Sequence, residues 1–302
     1  MLKILIAGGS GFVGRQLSQM LIQNGYEVAW LTRGKSTQNQ IKTFNWDIKT
    51  GFIDAKALAF ADVIVNLAGA GVADKKWTKT YKQELFDSRI TATALIAQAL
   101  QKNTHHVKAY IAASAIGIYG NTTSLNANED DTPATNYLAQ LCTDWETSTQ
   151  SIAKLGIRTA TVRVGVVLGL DGGFVKQVSA LTNYYLGAAL GSGKQYTSWI
   201  HLNDLCRMFI WLIEHENLTG IYNGVAPNPV SNKTLTKLLA KQLHKPIILP
   251  NAPAFMLNLI FGEMASMLLA SQHVSAQKII ATGFSFKFDT AENALANLFE
   301  TQ

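Results

Sequence analysis

The chain has 302 residues, 48% of them hydrophobic and 15% charged, with a formal net charge of +6, which fits one large or two modest domains around a sizeable core. Its two cysteines, Cys142 and Cys206, exclude a disulfide framework or a cysteine metal site and suit a reduced, cytoplasmic setting. The positive charge is spread through the chain rather than gathered into a run, which argues against a nucleic-acid partner and leaves room for a phosphorylated ligand.

The first element is an apolar strand, Leu2-Lys3-Ile4-Leu5-Ile6-Ala7, with no signal-peptide pattern ahead of it. Gly8-Gly9-Ser10-Gly11-Phe12-Val13-Gly14 follows, then a helical pattern from Arg15 to Leu21. Strand, glycine turn and helix is the arrangement that places a pyrophosphate on a helix N-terminus, so this turn points to dinucleotide binding. A second strand, Tyr26 to Leu31, runs into Thr32-Arg33-Gly34-Lys35. NAD binders commonly carry an acid there for the ribose 2′-hydroxyl, whereas a guanidinium suits a 2′-phosphate, so Thr32 and Arg33 favour NADP(H) over NAD(H). The competing reading makes Arg33 a solvated loop residue. Asp47, after a third strand, meets either the adenine edge or only solvent.

Ala61 to Ala68 forms another strand, ending in Asn66-Leu67-Ala68-Gly69. Small residues at Leu67-Ala68-Gly69 let the backbone lie against the cofactor or, alternatively, let strand and helix pack closely. A helix from about Tyr81 to Lys102, a strand from Lys108 to Ser114, a helix from Tyr137 to Leu155 and a strand from Ile157 to Arg163 continue the alternation. Continuous apolar strands between helices mean a parallel sheet covered on both faces, with right-handed crossovers. Beyond Gly169 glycines mark turns, a helix spans Leu202 to Ile213, and a strand at Gly220 to Ala226 is a candidate to return to the sheet. From Ser231 onward the pattern is largely helical. The apolar stretch Phe255 to Ala270, broken by Asn258 and Glu263, is short for a membrane span and reads as a buried helix. The expected fold is α/β: a Rossmann-type doubly wound parallel sheet over residues 1–165, and a smaller, mainly helical substrate lobe over 166–302 with a C-terminal extension from about 250.

The order of the 8-11-14 glycines, Asn66-Leu67-Ala68-Gly69, Ser114-Ala115-Ile116-Gly117-Ile118-Tyr119-Gly120 and Arg163-Val164-Gly165-Val166-Val167-Leu168-Gly169 resembles the extended short-chain dehydrogenase/reductase family. Trp77-Thr78, Asp87-Ser88-Arg89-Ile90, Asp144-Trp145-Glu146, Gly191-Ser192-Gly193-Lys194-Gln195, Ser198-Trp199-Ile200-His201 and Gly262-Glu263-Met264-Ala265 resemble its atypical epimerase/dehydratase-like branch, which has its own C-terminal helical extension. The resemblance spans nearly the whole chain. It implies a homodimer and a small carbonyl or sugar-type substrate, with Ser114 and Arg163 beside the cofactor.

The family chemistry implies a tyrosine acid/base, a lysine four residues on that lowers its pKa, and a serine that holds the reacting oxygen. Ser114 matches the serine, and Tyr137 lies at about the right distance downstream. The position four residues beyond Tyr137 is Leu141, and Arg89 stands where the family commonly has asparagine. Tyr119 is a second acid/base candidate or a loop aromatic. Trp77, Arg89, Lys194, Trp199 and His201 are candidate substrate contacts, with His201 equally readable as a structural histidine. His105-His106 has no partner at ligand spacing, so no metal is expected. Two functions follow: an NADP-dependent oxidoreductase or epimerase-like enzyme, or an NADP-binding sensor without turnover. Neither calls for a membrane.

Overall fold

The computed structural model describes residues 1–34, 41–122 and 126–300, so Lys35 lies outside the described residues. In chain order the first elements are β1 (Lys3–Ala7), α1 (Phe12–Gln23), β2 (Glu27–Thr32), β3 (Lys42–Asp47), β4 (Phe52–Ile53), α2 (Ala55–Phe60) and β5 (Val63–Asn66). Then come α3 (Lys79–Phe86), a π-helical turn (Asp87–Thr91), α4 (Ala92–Lys102), β6 (Ala109–Ala115), α5 (Tyr137–Ala153), β7 (Arg158–Val164), β8 (Val166–Leu168) and α6 (Gly173–Asn183). The last are β9 (Tyr196–Thr197), β10 (Trp199–His201), α7 (Leu202–Glu214), β11 (Gly220–Gly224), β12 (Val230–Ser231), α8 (Asn232–Gln242), α9 (Ala254–Phe261), α10 (Ala265–Leu269), α11 (Gln277–Ile280) and α12 (Ala291–Glu300).

A central sheet of eight strands has the order β11-β7-β6-β5-β1-β2-β3-β4. β1 pairs in parallel with both β2 and β5, β2 with β3, and β5 with β6, while the short β4 is antiparallel to β3. This is the α/β sheet expected from strands buried on both faces: Ile4, Leu5, Ile6 and Ala7 of β1 are fully buried. The step from β1 outward to β2 on one side and β5 on the other makes the carboxyl end of β1 the topological switch point.

The chain divides into two compact units. Unit 1 comprises Met1–Ser114, Leu141–Val162 and Cys206–Ile221. Its core joins Leu5, Leu31, Phe44, Ile64, Ile96 and Tyr110. α1 buries Gly14, Leu17, Ser18 and Leu21, one stripe at helical spacing. Unit 2 comprises Ala115–Gln140, Arg163–Leu205 and Tyr222–Gln302. Its core gathers Leu168, Trp199, Leu235, Leu239, Phe288 and Leu295.

Two segments differ from the sequence reading. The helix expected from Tyr81 to Lys102 is interrupted by the π turn at Asp87–Thr91, which leaves Arg89 buried. The stretch from Phe255 to Ala270 is not one buried helix: α9 ends at Gly262, whose φ of 59° lies in the left-handed region, and Phe255 and Leu259 are exposed. Apolarity along a chain does not say what covers it.

Candidate cofactor cradle and its polar surroundings

The glycine turn of unit 1 is shaped by the absence of side chains. Gly8 has φ +82°, and a Cβ there would lie 2.7 Å from the Leu67 carbonyl. A Cβ on Gly14 would lie 2.2 Å from the Gly8 oxygen, and one on Gly9 would lie 2.2 Å from the Trp30 ring. Gly11 donates its N–H to the Gly8 oxygen at 3.0 Å and precedes α1 in an extended conformation with no side-chain cap. No acidic residue sits in the first turn of α1, so the unsatisfied N–H groups there keep their positive end for an anion. Ser10, Phe12 and Val13 complete the turn, with Arg15 donating to the Ser10 carbonyl at 2.6 Å.

Trp30, which the sequence reading did not single out, locks this turn. Its Nε1 donates to Ser18 Oγ at 2.8 Å, and Ser18 in turn donates to the Gly14 carbonyl at 2.7 Å. At the end of β2, Thr32 Oγ1 donates to the Gly34 carbonyl at 2.6 Å, and Arg33 is exposed in the bend that follows. Asp47 is half-buried and accepts from the Lys49 amide at 2.9 Å, a bond that holds its carboxyl below the usual range.

Asn66 shapes the turn after β5. Fully buried, it donates to Tyr110 OH at 2.7 Å and Thr93 Oγ1 at 3.2 Å, and accepts from the Ala68 amide at 3.0 Å. Leu67, Ala68 and Gly69 therefore follow a side chain that replaces backbone pairing. Burial pushes the Tyr110 hydroxyl up to about 12, leaving it a neutral partner.

Three side chains hold the carbonyls of the next three residues. Arg89 donates to the Ala70 oxygen at 2.8 Å, Tyr81 to the Gly71 oxygen, and Trp77 to the Val72 oxygen at 2.8 Å. The Arg89 guanidinium also donates to the Leu85 carbonyl at 3.1 Å and lies 5.0 Å from the Trp145 ring. A Cβ on Gly69 would sit 3.0 Å from its Cζ. Trp77 and Arg89, expected at the substrate, thus brace the loop after Gly69. The π turn that aims Arg89 inward had no signature in the residue pattern.

Ser114, at the end of β6, is 3% exposed and donates to Glu146 Oε1 at 2.8 Å. Leu141 is itself buried. The Trp145 Nε1 is buried without a hydrogen-bond partner.

In unit 2, Tyr119 OH donates to Asn223 Oδ1 at 2.7 Å and accepts from Arg163 Nη1 at 2.8 Å. Arg163 also donates to the Glu129 carbonyl at 3.2 Å, and the Glu129 carboxylate accepts from the Asn223 amide at 2.7 Å. Burial, only partly offset by Arg163, pushes Tyr119 up to about 12. Its hydroxyl both donates and accepts within a buried network, an arrangement suited to holding structure. Tyr137 opens α5 and is half-buried.

His201 is buried, with its ring centroid 4.0 Å from that of Phe288. Its Nδ1 accepts from the Asn203 amide at 3.0 Å, so the proton belongs on Nε2, which has no partner. Burial pushes its pKa down to about 4. Asp204 accepts from the amides of Lys287 and Phe288 at 3.0 and 2.8 Å, which ties the segment before α12. Trp199 is fully buried and donates to the Asn228 carbonyl at 2.9 Å. Lys194 is exposed in the turn before β9. Among the described residues no group of His, Cys, Asp or Glu has metal-ligand geometry, and no helix is long and apolar enough to cross a membrane.

A family model for the NAD-dependent epimerase/dehydratase family matches residues 4–223, and one for a domain of unknown function, DUF1731, matches residues 252–298. An epimerase family protein of Mycobacterium leprae is 35% identical over 294 residues, covering 97% of this chain and 94% of the relative. The crystal structure of the human epimerase family protein SDR39U1 with NADPH superposes with a TM-score of 0.88 at 29% identity, covering 100% of both chains. The UDP-glucose 4-epimerase of Thermus thermophilus, in complex with NAD, shares the fold with a TM-score of 0.77 at 19% identity over 99% of both chains.

Proposed function

The chain belongs to the NAD-dependent epimerase/dehydratase family, and from that premise we propose that it is an NADP(H)-dependent oxidoreductase or nucleotide-sugar-epimerase-like enzyme acting on a small carbonyl or sugar-type substrate. The observation that carries this reading is the uncapped N-terminus of α1 behind a glycine turn with no room for a Cβ at Gly8, Gly9 or Gly14. Such a turn lets pyrophosphate oxygens approach the backbone N–H groups of residues 8–14. Arg33, exposed at the end of β2 in a segment, Thr32 to Lys35, that contains no acid, supplies the guanidinium for a 2′-phosphate. The NADPH in the human relative supports the same choice. Leu67, Ala68 and Gly69 offer a path with little side-chain bulk for the cofactor.

The cofactor, when bound, supplies hydride transfer; the chain must position the substrate and handle a proton. Of the two acid/base candidates, Tyr119 is buried, whereas Tyr137 is half-buried. Tyr137 is therefore the group we assign to proton transfer. A second reading, NADP(H) binding without turnover, is favoured by Leu141, a buried apolar side chain where the family's activating lysine would stand.

Titration of the protein with NADPH and NADH, followed by turnover assays on a panel of small carbonyls and nucleotide sugars, separates the readings. The expected result is tighter binding of NADPH, and turnover that Tyr137→Phe lowers about 100-fold. Arg33→Ala should weaken NADPH by about tenfold and NADH little. Failure to bind either nucleotide overturns both readings; tight binding with no turnover selects the second.

A further inference from the structure

Among the described residues, fifteen large hydrophobic side chains are exposed, and ten of them fall in two segments of unit 2: four in 181–186 and six in 248–260. Tyr184 is 79% exposed, Phe255 75%, Leu259 81% and Ile248 64%. The segments adjoin. Lys245 Nζ lies 3.3 Å from Tyr185 OH and 4.7 Å from the ring centroid, a Cβ on Gly187 would lie 3.1 Å from Ile247 Cδ1, and Ala252 N donates to the Ala189 carbonyl at 2.8 Å. The two segments are therefore neighbours and together expose ten large hydrophobic side chains, and exposed apolar patches on soluble proteins commonly mark an interaction site.

Helix α9 is the centre of this surface. Its eight residues, Ala254 to Phe261, carry no charge and bury only Leu257. Phe255, Met256, Leu259 and Ile260 stand on the outer side, where burial elsewhere in the chain cannot account for them.

The charge around this surface is mainly positive, although Glu263, exposed directly after α9, lies at its edge. Residues 172–203 and 222–262 hold Lys176, Lys194, Lys233, Lys237, Lys241 and Lys245, and none of the chain's 20 acidic residues. Glu292 reaches Lys241 from outside these segments at 3.4 Å. A second copy docked about a two-fold axis would bring six lysines per copy toward each other, with Glu263 past α9 and Glu292 at Lys241 too few to balance them. An anionic bilayer offers what this chemistry lacks: a hydrocarbon boundary for Phe255 and Leu259, an interface for the amphipathic ring of Tyr184, and phosphates for the lysines.

We propose that this face of unit 2, centred on α9 and the 181–186 turn, docks on the surface of an anionic lipid bilayer. The sequence reading called for no membrane, and no described helix is long and apolar enough to cross one; attachment in the plane of the headgroups requires no span. The inference stands independently of the cofactor and the reaction.

Flotation of the full chain with vesicles tests it. Vesicles of phosphatidylcholine containing about a third phosphatidylglycerol should bind the protein at least tenfold more tightly than phosphatidylcholine alone, and added salt should weaken the difference. The double variant Phe255→Ser/Leu259→Ser should bind the anionic vesicles about 100-fold more weakly, with an unchanged circular dichroism spectrum. Lys245→Glu should weaken that binding by about tenfold. The proposal is overturned if the wild type fails to float with anionic vesicles. It is equally overturned if both variants bind as the wild type does, or if neutral vesicles bind as well as anionic ones. A dimer in sedimentation velocity that the double serine variant dissolves, without vesicle binding, assigns the face to a second copy instead.

Discussion

The glycine turn of unit 1 and the Tyr119–Arg163 network of unit 2 are built by opposite means. The turn works by omission: Gly8, Gly9 and Gly14 keep Cβ atoms out of space already filled by Leu67, Trp30 and the turn's own backbone. The network works by saturation: Tyr119, Arg163, Glu129 and Asn223 meet one another's donors and acceptors in a buried setting. A region of the first kind leaves backbone N–H groups to be used by a ligand. In a region of the second kind, polar side chains that look reactive along the chain are spent on structure.

Substitutions can break this contrast. The largest loss is expected for Arg163→Met, which strips the network of its buried cation and leaves Tyr119 and the Glu129 carbonyl without their donor. It should cost about 3–5 kcal/mol in denaturant unfolding, and a cost below about 1 kcal/mol would show that the network is not saturated as described.

His201 gives a pH test of the same unit. Its folded pKa of about 4 lies below the ordinary 6.5, so folding favours the neutral ring. Stability from this group is therefore full above pH 6.5 and is lost as pH falls from 6.5 toward 4, by up to about 3 kcal/mol. His201→Gln should remove that part of the pH dependence. An unfolding free energy with the same slope in both proteins would show that His201 takes up its proton without penalty.

Gly14→Ala probes the turn, where a Cβ would meet the Gly8 oxygen at 2.2 Å. It should cost about 2 kcal/mol and weaken NADPH in proportion. Gly34→Ala, with nothing within 4 Å of its added methyl, should leave the unfolding midpoint unchanged. The smallest measurable loss belongs to Trp30→Phe, which keeps a ring against Gly9 but removes the donor to Ser18. About 1 kcal/mol is expected, and a loss of several-fold in NADPH affinity would show that this bond stabilises the cradle and not merely the core.

Much of the architecture was legible in the chain. β1, β5 and β6 are apolar runs, and the glycine turn sits at its proper place between a strand and a helix, because burial on both faces and a tight turn each constrain residue type locally. The π turn at Asp87–Thr91 left no such mark, since its i→i+5 bonds depend on where Arg89 finds carbonyls at Leu85 and Ala70. α9 was misread because a charge-free stretch looks the same whether it is covered by its own chain or not.

By itself, then, the sequence determined the alternation that makes a parallel sheet, the turn at the end of β1, and the absence of a lysine at Leu141. All of these follow from neighbours along the chain and from what glycine, apolar and charged side chains can do. Only the tertiary structure decided that Ser114 gives its hydrogen bond to Glu146, that Tyr119 is held between Arg163 and Asn223, and that Phe255 and Leu259 face outward. A hydroxyl's availability depends on partners tens of residues away, and the exposure of an apolar side chain depends on what packs over it.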